Sequence, residues 1–310
     1  MLVFHSDRFA LPLPSGHRFP MAKYARLHER VATLHSEDLT LVEAPEASRA
    51  ALEAVHDPGY VARVLRGELS LAEQRAIGLP WSPALVERSR RSVGATLAAA
   101  DAALRDGVAA SLAGGTHHAR AAHGAGFCVF NDLAVTTHAV LADGRAARVL
   151  VVDCDVHQGD GTAEMLADEP RAFTLSVHAA RNYPHAKACS DLDIGLPDRS
   201  TGVVYLDILE RALDHALALS RPELVLFQAG ADVYVGDALG RLALDKSTIA
   251  IRDERVFAAC AARGAAVAVV MGGGYADAVE DIVDIHLATV TAALDSVRRR
   301  GRPQGAGGGP

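Results

Sequence analysis

The stretch Arg148 to Thr162, RVLVVDCDVHQGDGT, decides how this chain is read. Val149, Leu150, Val151 and Val152 form an unbroken apolar run, the pattern of a strand buried on both faces of a parallel sheet. Acids and an imidazole follow at once. Along an extended chain side chains alternate in direction, so Asp153, Asp155 and His157 project to one side and Cys154 and Val156 to the other. Gly159, Asp160 and Gly161 then read as a tight turn that keeps Asp160 near the cluster. Asp-rich loops with glycine are often solvated turns, and Asp-x-Asp also suits a calcium loop. His157 argues for zinc or another transition metal instead, because calcium takes oxygen ligands.

The rest of the sequence supplies the setting. With 310 residues, 50% hydrophobic and 22% charged, the chain can bury a large core. A net charge of -7 gives no general attraction to nucleic acid or an anionic membrane, so neither is expected as a partner. The one basic run, Arg298 to Arg300, opens a Gly-rich stretch that reads as a disordered, solvated tail from 298 to 310. Cys128, Cys154, Cys189 and Cys260 lack C-x-x-C spacing and read as reduced thiols. No long apolar segment or cationic leader marks the N-terminus MLVFHSDRFALPLP, so a cytoplasmic enzyme is expected. Oligomeric state has no signature.

Apolar runs recur. Leu2 to His5 and Leu39 to Val42 read as strands, with a helix between them that carries Met21, Tyr24, Leu27, Val31 and Leu34 on one face. Residues 46 to 79 read as short helices punctuated by His56-Asp57-Pro58-Gly59. Ser82-Pro83 starts a helix that Gly107 ends. Val108 to Leu112, Val149 to Val152, Phe173 to Val177, Leu224 to Phe227 and Ala266 to Val270 then read as strands, most of them separated by helices. This alternation predicts an α/β fold: one domain over residues 1 to 297, a doubly wound, mainly parallel sheet with helices on both faces.

Ligands of such sheets bind beyond the carboxyl ends of the strands. All five runs lead into reactive or glycine-rich sequence: Gly114-Gly115-Thr116-His117-His118; Asp153, Asp155 and His157; Ser176 and His178; Gln228-Ala229-Gly230-Ala231-Asp232; and Gly272-Gly273-Gly274-Tyr275. One shared pocket accounts for them together. A lone histidine is usually a packed or surface group, but His117 and His118 in tandem near spare carboxylates can each be oriented, and raised in pKa, by an acid partner. Such a pair supplies a general base. Asp232, otherwise a loop acid capping a turn, becomes the third metal ligand beside Asp155 and His157. Tyr275, otherwise a packed aromatic, sits on a glycine loop that can bring its hydroxyl to the site.

GGTHHA at Gly114 to Ala119, GFCVFND at Gly126 to Asp132, VDCDVHQGDGT at Val152 to Thr162, QAGAD at Gln228 to Asp232 and GGGY at Gly272 to Tyr275 together resemble the histone deacetylase superfamily. GHRFPMAKY at Gly16 to Tyr24, SVHAARNYP at Ser176 to Pro184 and SDLDIGLPD at Ser190 to Asp198 are most similar to its class IV branch and bacterial relatives. The resemblance implies an arginase/deacetylase-like fold with catalytic Zn²⁺ on Asp155, His157 and Asp232, where Fe²⁺ or Co²⁺ also suits the donors. It pairs His117 with Asp153 and His118 with Asp160, with His118 as general base and acid and Tyr275 polarising the carbonyl. It further implies a substrate channel at Gly126, Phe127, Tyr183, Gly273 and Gly274, and a structural K⁺ near Asp153, Asp155, His157, Ser176 and Val177. The expected substrates are acyl-lysine, an acylated polyamine or a small acylated metabolite. Two other readings are a two-metal ureohydrolase resembling arginase and a binding protein that keeps the pocket without turnover.

Overall fold

The computed structural model describes residues 1–34 and 36–301. Eight strands are present among them: β1 (Leu2–His5), β2 (Thr40–Glu43), β3 (Val108–Ser111), β4 (Val149–Asp153), β5 (Ala172–Ala179), β6 (Leu192–Leu196), β7 (Leu224–Gln228) and β8 (Ala266–Val270). They form one sheet in the order β2-β1-β3-β8-β7-β4-β5-β6, and every neighbouring pair is parallel. The helices are α1 (Ala22–Ala32), α2 (Arg49–Glu53), α3 (Pro58–Arg66), α4 (Leu71–Ile77), α5 (Pro83–Asp106), α6 (Asp132–Ala142), α7 (Asp160–Leu166), α8 (Gly202–Ser220), α9 (Lys246–Ala262) and α10 (Val279–Gly301).

Local chemistry explains the boundaries. Ser82 caps α5 by accepting from the Leu85 amide, Pro83 fills the first helical position where its missing N–H costs nothing, and Gly107 ends the helix at φ 89°. Ser70 and Glu73 cap α4 reciprocally. The central strands β3, β4, β7 and β8 are buried along their whole length, which is why they read as continuous apolar runs. Two apolar layers cover the sheet. One includes Val152, Phe227, Val269, Phe257 and Leu213; the other includes Val151, Leu226, Ala268, Ala99 and Leu133.

Register is what builds the site. Ser176, Asp153, Gln228, Val270 and Ser111 stand in a single row across β5, β4, β7, β8 and β3. Parallel strands that end level send their following loops to one edge, and there the five polar sequences meet.

Three segments differ from the sequence reading. β6 was not expected, because LDIGL mixes polar and apolar residues; it is an edge strand whose Asp193 carboxylate accepts from Gln158 (2.7 Å) and from the Ser190 amide. The expected turn at 159–161 is the start of α7, with the Asp160 charge in the first helical turn where the helix dipole favours it. Helix α10 runs through Arg298 to Arg300, which were expected in the tail: Arg298 pairs with Asp38 and Arg300 donates to the Ala265 carbonyl. Residues 302–310 of that expected tail lie outside the described residues. Among the described residues no helix is long and apolar enough to cross a membrane.

Candidate active site

Asp155, His157 and Asp232 come together from the ends of β4 and β7, all three buried, as a group spaced to share one ion. His157 Nδ1 lies 3.0 Å from Asp155 Oδ1 and 3.2 Å from Asp232 Oδ2. The loops fix both carboxylates through their other oxygens: Asp155 Oδ2 accepts from the Gly273 amide (2.6 Å), and Asp232 Oδ1 accepts from the Val156 amide (2.9 Å). Asp232 Oδ2 is buried and has no well-aligned hydrogen bond among the described residues; His157 Nδ1 stands 3.2 Å away. A buried, ionisable oxygen without a donor costs free energy unless a cation meets it. Two carboxylates and one imidazole suit a divalent transition metal and leave part of its coordination open.

Glycine at 273 is required by this arrangement. A Cβ there would lie 1.8 Å from Asp232 Oδ2 and 2.8 Å from Asp155 Oδ2. Behind both loops stands Arg252 of α9, fully buried and paired with Asp253 at 2.7 Å. It donates to the carbonyls of Gly230 (2.7 Å) and Cys154 (3.2 Å), so one guanidinium ties the β7 loop to the β4 loop.

The tandem histidines follow β3. His117 Nδ1 is 2.6 Å from Asp153 Oδ2, and His118 Nδ1 is 2.6 Å from Asp160 Oδ1. Their electrostatics differ from the sequence expectation that both are raised. Burial opposes the charge on His117, but Asp153 and Asp155 outweigh it and hold the imidazole up at about 9. On His118 burial prevails, and the charge of His117 adds to it; the Asp160 contact does not compensate, so this imidazole is pushed down to about 3. Their ring centroids are only 4.1 Å apart, so the second charge is the costly one. His157 is raised to about 10 by Asp155 and Asp232 despite its burial, and Asp232 is raised to about 7 by burial and the charge of Asp155. Burial and the same two carboxylates hold the Tyr275 phenol well above its ordinary value.

Tyr275 lies edge-on to His157 with ring centroids 6.5 Å apart, and its amide donates to Asp237 Oδ2 (2.6 Å). A cavity of about 650 Å³ opens onto the cluster. Gly126, Phe127, Tyr183 and Gly273 line it. Phe127 packs on Tyr275 at 5.7 Å in a left-handed backbone conformation (φ 66°), held by the hydrogen bond that its amide N–H donates to the Ile77 carbonyl (2.7 Å). Tyr183, half-exposed at the mouth, stands edge-on to His118 at 4.8 Å. Gly274, expected on the channel, is not on the wall; its α-carbon faces Ile282 and Ala231. Ser176 is buried beside the cluster with its hydroxyl 2.9 Å from His178 Nδ1, and Val177 packs in the core.

The histone deacetylase domain family matches this chain over residues 17–290, a span that holds every residue of the cluster. The chain belongs to the histone deacetylase family. It is 43% identical to an uncharacterized protein of Picosynechococcus over 95% of this chain and 98% of that one. It is 32% identical to histone deacetylase 2 of Arabidopsis thaliana, over 84% of this chain and 70% of the relative. To the acetoin utilization protein AcuC of Bacillus subtilis it is 29% identical, over 77% and 66%.

In this histone deacetylase family member three further residues, to which the sequence reading gave no role, support the site. Asp132 accepts from the amides of Gly115 (2.9 Å) and Thr116 (2.7 Å), which sets the loop ahead of the two histidines. Arg120 donates to Asp160 Oδ2 (2.9 Å) and so holds the acid partner of His118. The Gln228 amide reaches His117 Nδ1 (2.9 Å). Asp132 closes GFCVFND and Gln228 opens QAGAD, so both stood inside quoted motifs without a role; Arg120 had no local signal, because it acts across loops that no sequence spacing connects.

Proposed function

We propose that the protein is a metal-dependent amidohydrolase that removes an acyl group, acetyl or longer, from an amine such as acyl-lysine. One observation carries the reading: a buried ligand triad lies beside two buried His–Asp pairs, His117–Asp153 and His118–Asp160, each closed at 2.6 Å. Asp155, His157 and Asp232 would hold the ion, Zn²⁺ by the resemblance, with Fe²⁺ or Co²⁺ compatible with the same donors. A divalent ion bound there supplies Lewis acidity toward the acyl oxygen and lowers the pKa of water.

The chain's own groups then divide the work. His118, neutral because of its burial, accepts a proton from the attacking water, steadied through Nδ1 by Asp160. Tyr275 keeps its proton and donates a hydrogen bond to the acyl oxygen as negative charge develops on it. His117, kept charged by Asp153, adds positive potential beside that oxygen. His118 returns its proton to the nitrogen as the C–N bond breaks, which leaves a carboxylate and a free amine. Phe127 and Tyr183 frame the entry for an aliphatic chain.

The chemistry at this cavity favours this over a two-metal ureohydrolase: of the two groups with metal-ligand spacing among the described residues, His5, Asp7 and His28 are not on the cavity wall. The nearby acids Asp153 and Asp160 are already committed to histidines, and among the described residues Asp155 is the only carboxylate on the cavity wall. The binding-protein reading is separated by turnover. The test is a screen of acyl-lysine peptides and acetylated polyamines with metal-reconstituted protein and a chelator control. Chelator-sensitive release of amine supports the proposal; no release from any substrate with any of the three metals refutes it.

A further inference from the structure

The cavity wall has an exposed part, with Arg181 and Arg241, and a buried part made by Leu11, Lys23, Tyr24, Leu85, Arg88 and Ser92, its inner end, which reaches the Tyr275 loop through Lys23. Two cations are buried at this inner end. Lys23 is 3% exposed; its Nζ stands 3.5 and 3.4 Å from the carbonyls of Gly272 and Gly274, on the tyrosine's own loop, and 5.5 Å from the Tyr275 ring. Arg88 is 6% exposed, lies 4.0 Å over the ring of Tyr24, and has a buried Nη1 without a hydrogen-bond partner among the described residues.

Among the described residues no carboxylate pairs with either of them. The nearest acid in sequence, Glu87, pairs with Arg91, and Asp132 is occupied by Thr96, Gly115 and Thr116. Asp155, the one carboxylate on the wall among the described residues, belongs to the ligand triad. Contact with an aromatic face returns part of the cost of burying a guanidinium, and an anion would return more of it. The planar fork of Arg88 matches a carboxylate.

Building on the deacylase reading, we infer that the inner end of the cavity receives a carboxylate at the far end of the acyl group, so that the preferred substrates are amides of dicarboxylic acids, of the succinyl or glutaryl type. The acyl carbon lies at Tyr275 and the chain runs inward past Lys23 to Arg88. Acetyl groups fit this space without filling it.

The experiment uses the metal-loaded full chain and pairs of lysine peptides that differ only in the terminal group: succinyl against 4-methylpentanoyl, and glutaryl against 5-methylhexanoyl. The acidic member should have a kcat/KM at least about tenfold above its neutral isostere, the return expected of one charge-assisted hydrogen bond in a desolvated site. Arg88→Met should bring that ratio to near one, and Arg88→Lys should keep most of it. Free glutarate should also inhibit the native protein at least about tenfold more tightly than 5-methylhexanoate, a readout that needs no folded variant. A native ratio of one or less in both pairs overturns the inference, as does a ratio that Arg88→Met leaves unchanged. If Arg88 serves only to receive the acid released from acetyl amides, acetate inhibition weakens in Arg88→Met while the native ratio stays near one, which also overturns it. Hydrolysis of neutral acyl peptides without acidic preference leaves the deacylase reading standing; no hydrolysis of any acyl-lysine removes both.

Discussion

Replacing Gly273 by alanine puts one methyl group where the ligand triad has no room. The new carbon would stand 1.8 Å from Asp232 Oδ2, and side-chain carbons essentially never approach another atom closer than 3.0 Å, so carboxylate or loop must retreat by more than an ångström. Metal sites tolerate ligand displacements of only about 0.2 Å. Asp155 Oδ2 also crowds the methyl at 2.8 Å, and its bond from the Gly273 amide moves with the backbone. Two of three ligands are therefore disturbed by a change that removes no donor atom. Zinc affinity, read by competition with a fluorescent chelator, should fall by about a hundredfold or more, the upper end of the loss seen when groups supporting metal ligands are altered. The metal-free protein should lose only about 1–3 kcal/mol of stability in urea, the usual cost of one overpacked methylene. Native-like zinc affinity in Gly273→Ala, with its fold intact by circular dichroism, would show that Asp155 and Asp232 do not hold the ion.

Further outcomes can be checked independently. His157 is raised to about 10 by its two carboxylates, so at neutral pH an arriving ion must displace its proton. Affinity should therefore strengthen about tenfold per unit rise in pH at pH 8, and more steeply below about 7, where Asp232 is also protonated; calorimetry in buffers of different ionisation enthalpy would count the protons, and pH-independent binding would contradict the assignment. His117 is held above its ordinary value, so its positive charge is fully present at low pH and lost as pH rises through about 9. The basic limb of kcat/KM should fall there and move to lower pH in Asp153→Asn; an unmoved limb speaks against His117 as its source. Tyr275→Phe should lower kcat by about a hundredfold, as expected for one oxyanion donor, with little change in KM, and the reverse split would make Tyr275 a binding residue. His118→Ala should cost about 10²- to 10⁴-fold in kcat while zinc affinity stays within a few fold of native; retained turnover would assign the base elsewhere.

Much of this architecture was legible in the sequence. Buried parallel strands need apolar side chains on both faces, so VLVV, LVLF and AVAVV announced themselves, and their level ends could be inferred from the polar residues that followed. Asp155, His157, Asp232 and the two histidines were found for the same reason: each sits just past such a run. What the sequence hid is what acts at a distance. Lys23 sits on the buried side of α1 beside Tyr24, and Arg88 on the packed side of α5, where charged residues in a helical pattern read as solvent-facing. Arg252 looked like one more charge in IAIRDERVF, because its partners Gly230 and Cys154 belong to other loops. The opposite protonation of His117 and His118 was out of reach too, since it depends on burial and on a 4.1 Å ring separation rather than on which acid each one meets. Strand β6 was missed because edge position rather than apolarity defines it.

The central claim is that one ion on Asp155, His157 and Asp232 makes this chain a hydrolase of acylated amines. It is tested most directly by titrating metal-stripped protein with Zn²⁺ while following amine release from an acyl-lysine peptide, alongside Asp232→Asn. The account predicts activity that rises linearly and saturates at one equivalent per native chain, with no rise in Asp232→Asn. Saturation only at two equivalents, or equal activity in both proteins, would contradict it.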